Sequence, residues 1–79
     1  MSPTVFRVGP YRFYFFSREE ERPHVHATCP DGEAKFWLEP TISVAASTGL
    51  SEKQLNDLLR IVESRKNEIA AAWNKHFEA

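Results

Sequence analysis

The spacing of apolar residues changes once along this chain, near Ser51, and that change limits the fold more than any other feature. Before it, short β-rich runs alternate with Gly and Pro turn signals, the pattern of strands. After it, Leu55, Leu58, Leu59, Val62, Ile69, Trp73 and Phe77 recur at the 3.6-residue spacing of a helix with one buried face. Lys53, Asp57, Arg60, Glu63 and Lys66 fill the opposite, solvated face in mixed sign. Ser51 with Gln54 three residues later is a capping box, and Leu50 with Leu55 fits the hydrophobic staple around it. The helix should therefore run over about 51–77. Its apolar stripe skips a turn at Arg65-Lys66-Asn67, which leaves room for a break there.

The strand half reads in order. Thr4 to Val8 is a short strand, Gly9-Pro10 a turn, and Tyr11 to Ser17 an aromatic strand. Ser17 to Arg22 is a charged, solvated connector. Pro23 suits a strand's first position, ahead of a strand over His24 to Thr28. Cys29-Pro30-Asp31-Gly32 is a tight turn, and Glu33 to Glu39 the returning strand. Pro40 interrupts, and Thr41 to Ala46 is either a further strand or irregular. No repeat or low-complexity tract interrupts this order. The expected fold is α+β: an antiparallel sheet of three to five strands, packed on one face by the C-terminal helix.

At 79 residues the chain is read as a single domain, 1–79, too short for a doubly wound sheet or a (β/α) barrel. Ten basic and eleven acidic residues give a net charge of -1, so any nucleic-acid site must be a local patch. One cysteine excludes an internal disulfide and an all-cysteine zinc site. No apolar run approaches the ~18 residues of a membrane span. Nor does Met1-Ser2-Pro3-Thr4 open a secretory signal, so a cytoplasmic location is expected. A core this small rarely supplies more than roughly 3–5 kcal/mol. Six Phe, two Tyr and two Trp offset part of that deficit. The remainder leaves room for a partner chain or a homo-oligomer.

Two-residue periodicity sorts the strands into faces. A Gly9-Pro10 hairpin sets Val8 opposite Tyr11, Arg7 opposite Arg12 and Phe6 opposite Phe13. One face then carries Phe6, Val8, Tyr11, Phe13 and Phe15, and the other Arg7, Arg12, Tyr14 and Phe16. A second hairpin over 29–32 pairs Thr28 with Glu33, His26 with Lys35 and His24 with Trp37. Val25, Ala27, Cys29, Ala34, Phe36 and Leu38 form its core face. The polar face collects Arg7, Arg12, Tyr14, His24, His26, Lys35, Trp37 and Glu39, a set suited to an anion such as phosphate. A one-residue slip would reverse every assignment.

Three readings of His24 and His26 follow. As metal ligands they supply half of a tetrahedral site, with Glu33, Glu39 or His76 as further donors and Cys29 on the wrong face. As catalytic residues they serve as base and acid while Arg or Lys35 stabilises phosphorane charge, the chemistry of a metal-independent ribonuclease. As plain strand residues they sit half-exposed in an interface. Arg7 opposite Arg12 calls for an anion, a partner's carboxylate, or one from Glu19 to Glu21. Trp37 is either an interface anchor or local core beneath 41–46. Trp73 belongs to the core. His76 near the helix end suits the helix dipole, and Cys29 reads as a small buried hydrophobe. No metal and no cofactor is assigned.

The segments VFRVGPYRFYFFS, RPHVHA and DGEAKFWLEP and the capped helix ending AAWNKHF resemble a compact bacterial family, domain of unknown function 4160. The resemblance spans Thr4 to Phe77. Its specific parts are His-Val-His and Ala-Lys-Phe-Trp-Leu-Glu. Arg22 stands where the family has a second proline, a departure that should touch the loop more than the site. The resemblance implies pairing with a second small protein, as in type II toxin–antitoxin modules with this family as toxin. It points to His24, His26, Lys35 and Trp37 as signature residues. The expected partners are thus a cognate antitoxin-like protein and RNA, with no membrane involved. A protein-only interaction module and a small metal-binding protein remain the alternatives. The absence of a DNA-binding element or disordered tail favours the toxin side.

Overall fold

The structure, a computed structural model, describes residues 4–15 and 22–77. Five strands are followed by two helices: β1 (Thr4–Val8), β2 (Tyr11–Tyr14), β3 (His24–Cys29), β4 (Gly32–Trp37), β5 (Ser43–Thr48), α1 (Glu52–Ser64) and α2 (Lys66–His76). The strands form one antiparallel meander in chain order.

Turn chemistry sets the registers. Gly9 takes φ 56°, the left-handed conformation that closes a two-residue hairpin. Val8 then faces Tyr11, Arg7 faces Arg12 and Phe6 faces Phe13, as the sequence implies, before a bulge brings Thr4 opposite Tyr14. Pro30-Asp31 closes the second hairpin, with Cys29 facing Gly32, His26 facing Lys35 and His24 facing Trp37. Within the described residues β2 ends at Tyr14, short of the expected Ser17, and Phe16 to Glu21 lie outside them. β4 ends at Trp37 rather than Glu39. Leu38 N–H still reaches the Pro23 carbonyl at 3.0 Å, but Pro40, which has no N–H, follows a cis peptide. The tentative segment 41–46 is a strand, shifted to Ser43–Thr48.

The helix forms for the reasons legible in the sequence. Ser51 Oγ accepts from Gln54 N–H at 3.1 Å, and Gln54 Oε1 accepts from Ser51 N–H at 2.8 Å. The Gln54 amide also donates to Asp31 at 2.9 Å, tying the helix start to the β3–β4 turn. The expected break falls at Arg65, where φ is -116° and ψ 22°. Ser64 Oγ donates to the Ile61 carbonyl, which also accepts from Arg65 N–H, a back-bond of the kind that bends helices. Arg65 caps the bend by lying 4.5 Å over the Phe6 ring of β1.

Phe13, Phe15, Val25, Ala27, Ala34 and Phe36 point from the sheet into a core closed by Leu58, Val62, Ile69 and Trp73. Each large apolar side chain buried there contributes roughly 1.5–3 kcal/mol relative to exposure. Cys29 and Leu38, placed on the core face by alternation, are only half-buried because both lie at strand ends. None of the described helices is long and apolar enough to cross a membrane.

β5 closes against the β3–β4 turn through glycines. A Cβ on Gly32 would run into the Thr48 carbonyl oxygen. Gly32→Ala should therefore lower stability by about 1–3 kcal/mol. Urea unfolding would check this, and amide exchange should rise first in β5. Unchanged stability would mean that β5 tolerates displacement from the turn.

Candidate functional site

The helices cover one sheet face, so the other carries whatever chemistry the sheet offers. On it the pairings of β2, β3 and β4 set Tyr14 beside His26, His26 beside Lys35 and His24 beside Trp37. The side chains form a connected series of rings. Tyr14 stacks on His26 at 5.3 Å between centroids, and His26 meets His24 edge-on at 5.3 Å. His24 in turn meets Trp37 at 5.9 Å. Cations sit on the ring faces: Arg12 over Tyr14 at 4.8 Å, and both Arg22 (4.1 Å) and Lys35 (4.6 Å) over Trp37.

Each contact has a local cause. Arg12 does not confront Arg7, because its Nε donates to Thr4 Oγ1 at 2.7 Å and its guanidinium turns onto Tyr14. Arg7 is exposed. Arg22 donates from Nε to the Glu39 carbonyl at 2.8 Å, which holds it over Trp37. Glu39 enters the site through that carbonyl and lies exposed beyond the end of β4. Trp37 is half-buried beneath its cations, neither a bare anchor nor core. A cation seated on a ring has lost part of its rotamer freedom. His26, Glu33, Lys35, Ala46 and Thr48 line a shallow depression, open because β5 offers only small side chains there.

His24 departs from the half-exposed placement that alternation suggests: it is 1% exposed. At the first position of β3 it reaches the end of the sheet, where Trp73 of α2 closes over it at 5.1 Å between centroids. Its Nδ1 lies 2.7 Å from the Arg22 carbonyl oxygen. A carbonyl only accepts, so Nδ1 carries the hydrogen. Trp73 also packs edge-on against Phe15 and at a tilt against Phe77, so His24 joins the open-face rings to the core. His76 is exposed at the end of α2 and stacks on Phe15 at 5.9 Å, far from an ion-binding role with His26. Among the described residues no three His, Cys, Asp or Glu side chains gather to hold a metal ion. Glu19 to Glu21, candidates for neutralising the arginines, lie outside the described residues. Tyr11, on the covered face, has its phenol pushed above its ordinary value of 10.0, first by partial burial and then by Cys29 and Asp57.

Arg22 is the site residue that sequence reasoning missed. Extending the two-residue period back from His26 and His24 through Pro23 places Arg22 on the same face, and that was the available signal. Its guanidinium reaches the site by lying over Trp37.

Residues 11–74 match the family model described as a domain of unknown function (DUF4160). The chain belongs to that family. No curated protein and no solved structure matches it. The DUF4160 match covers β2 to β5, α1 and most of α2, and so contains the whole ring series from Tyr14 to Trp37.

The two histidines should separate by stability. His24→Ala removes a buried ring and its hydrogen bond, an expected loss on the order of 2–4 kcal/mol. His26→Ala, on the half-buried side, should cost under about 1 kcal/mol. Urea titration of the two single variants would check the difference, and equal losses would refute the assignment of His24 to the core junction.

Proposed function

We propose that this DUF4160 chain is the toxin-like member of a bacterial two-protein module, held inactive by a cognate small protein and acting on RNA through the open sheet face. The observation that carries the reading is the ring-and-cation series from Arg12 to Trp37, with Lys35 facing His26 across the β3–β4 ladder. Cations track phosphates and aromatic faces accept bases, the combination used by single-strand binders. The overall charge of -1 keeps that attraction local to the patch.

His26 is the candidate base. It takes the proton of a ribose 2′-hydroxyl, whose oxygen attacks the adjacent phosphorus. A 2′,3′-cyclic phosphate forms as the bond to the 5′-oxygen breaks, and water protonates the leaving oxygen. Lys35 and Arg12 stabilise the negative charge that develops on the phosphoryl oxygens. His24 acts as a positioning residue, because its burial removes it from the substrate. The same burial favours a second reading, a protein-only module, since it takes away one imidazole of an acid–base pair.

Induced expression in a bacterial host separates these readings. Wild-type protein should arrest growth, and His26→Ala or Lys35→Ala should relieve the arrest with the fold intact by circular dichroism. Purified protein should leave RNA ends bearing cyclic phosphate. Absence of arrest by the wild type would overturn the toxin reading. Arrest that survives both substitutions would move the activity away from this face. Loss of partner binding in Trp37→Ala, with His26→Ala still binding, would favour the protein-only module.

A further inference from the structure

We infer that the outer edge of β5 pairs with β5 of a second copy of this chain, in antiparallel register about a two-fold axis perpendicular to the sheet. The inference is independent of the RNA reading. It starts from the sheet order, which among the described residues leaves β1 and β5 as edges. Soluble proteins protect such edges with charges, prolines or covering segments, because unpaired N–H and C=O groups recruit another strand. β5 reads Ser-Val-Ala-Ala-Ser-Thr and has neither a charge nor a proline. Five of its six residues are exposed. They include Val44, a large apolar side chain left 43% exposed. Ala45, the extra residue of the bulge opposite Lys35 and Phe36, bends the strand without covering its outer side.

The occupant follows from charge. In an antiparallel pair, like charges directly opposite destabilise, while small neutral side chains permit close approach. A second β5 meets that condition along its whole length. The opposite edge does not, because β1 carries the exposed Arg7. Self-pairing would also extend a small core that gains from association.

The two-fold axis puts the same face of both copies on the same side, making one continuous ten-stranded sheet from two five-stranded ones. Ala46 and Thr48 belong to β5 and also border the depression that holds His26 and Lys35. The two depressions would therefore flank the seam. With Ala46 opposite its own copy, the Lys35 positions lie three strand spacings apart, roughly 14 Å. The dimer thereby joins two ring-and-cation series into one surface.

Light scattering on the size-exclusion peak, with amide exchange on the same sample, tests this. Wild type should have twice the chain mass, with those amides of 43–48 that point away from β4 protected. Val44→Lys and Ser47→Lys, both at exposed positions, should halve the mass and expose those amides while circular dichroism stays unchanged. Val44→Ile should remain a dimer. A wild-type monomer at the highest workable concentration would overturn the inference. So would a dimer whose β5 amides exchange freely, or one that survives both lysine substitutions. None of these readouts uses RNA or growth, so failure here and failure of the toxin reading are distinguishable.

Discussion

Burial of Phe13, Phe15, Val25, Ala27 and Phe36 against Leu58, Val62, Ile69 and Trp73 is the constraint from which the rest of the molecule follows. A five-stranded sheet with a single layer of helices has one face to hide and one to expose. The apolar stripe of α1 and α2 decides which is hidden. Every polar side chain at the alternate strand positions is thereby delivered to the opposite side. The open face is thus a by-product of core formation, and its chemistry depends on which residues the sequence placed out of phase with the core.

The kink at Arg65 serves the same constraint. A straight helix continuing from α1 would present its skipped turn to the sheet. Bending at Ser64–Arg65 lets Ile69 and Trp73 return to the core, while the Arg65 guanidinium covers Phe6. Trp73 then reaches the end of the sheet and seals His24. A single buried imidazole there couples the C-terminal helix to Arg22, His26 and Trp37. Perturbing the end of α2 would therefore disturb the open face without touching it.

Much of this was legible beforehand, where local chemistry decides. Gly9-Pro10 and Pro30-Asp31 pinned both hairpin registers, and a pinned register assigns faces by simple alternation. Alternation failed at ends. It left Cys29 and Leu38 in the core and His24 half-exposed, because it describes direction from a strand and not what closes over its terminus. The role of Arg22 was hidden for a related reason: a charged residue before a proline reads as loop until the opposing tryptophan is in place.

The sequence by itself determined the strand-then-helix order, the hairpin registers, the helix start and the composition of the two sheet faces. These depend on contacts between near neighbours, which turn residues, caps and periodicity encode directly. Only the tertiary structure decided that His24 is buried, that Arg22 and Lys35 both sit on Trp37, and that β5 stands at an edge with small, exposed side chains. Those outcomes depend on how elements far apart in the chain close over one another. That packing is set by the summed fit of many side chains, and no local pattern records it.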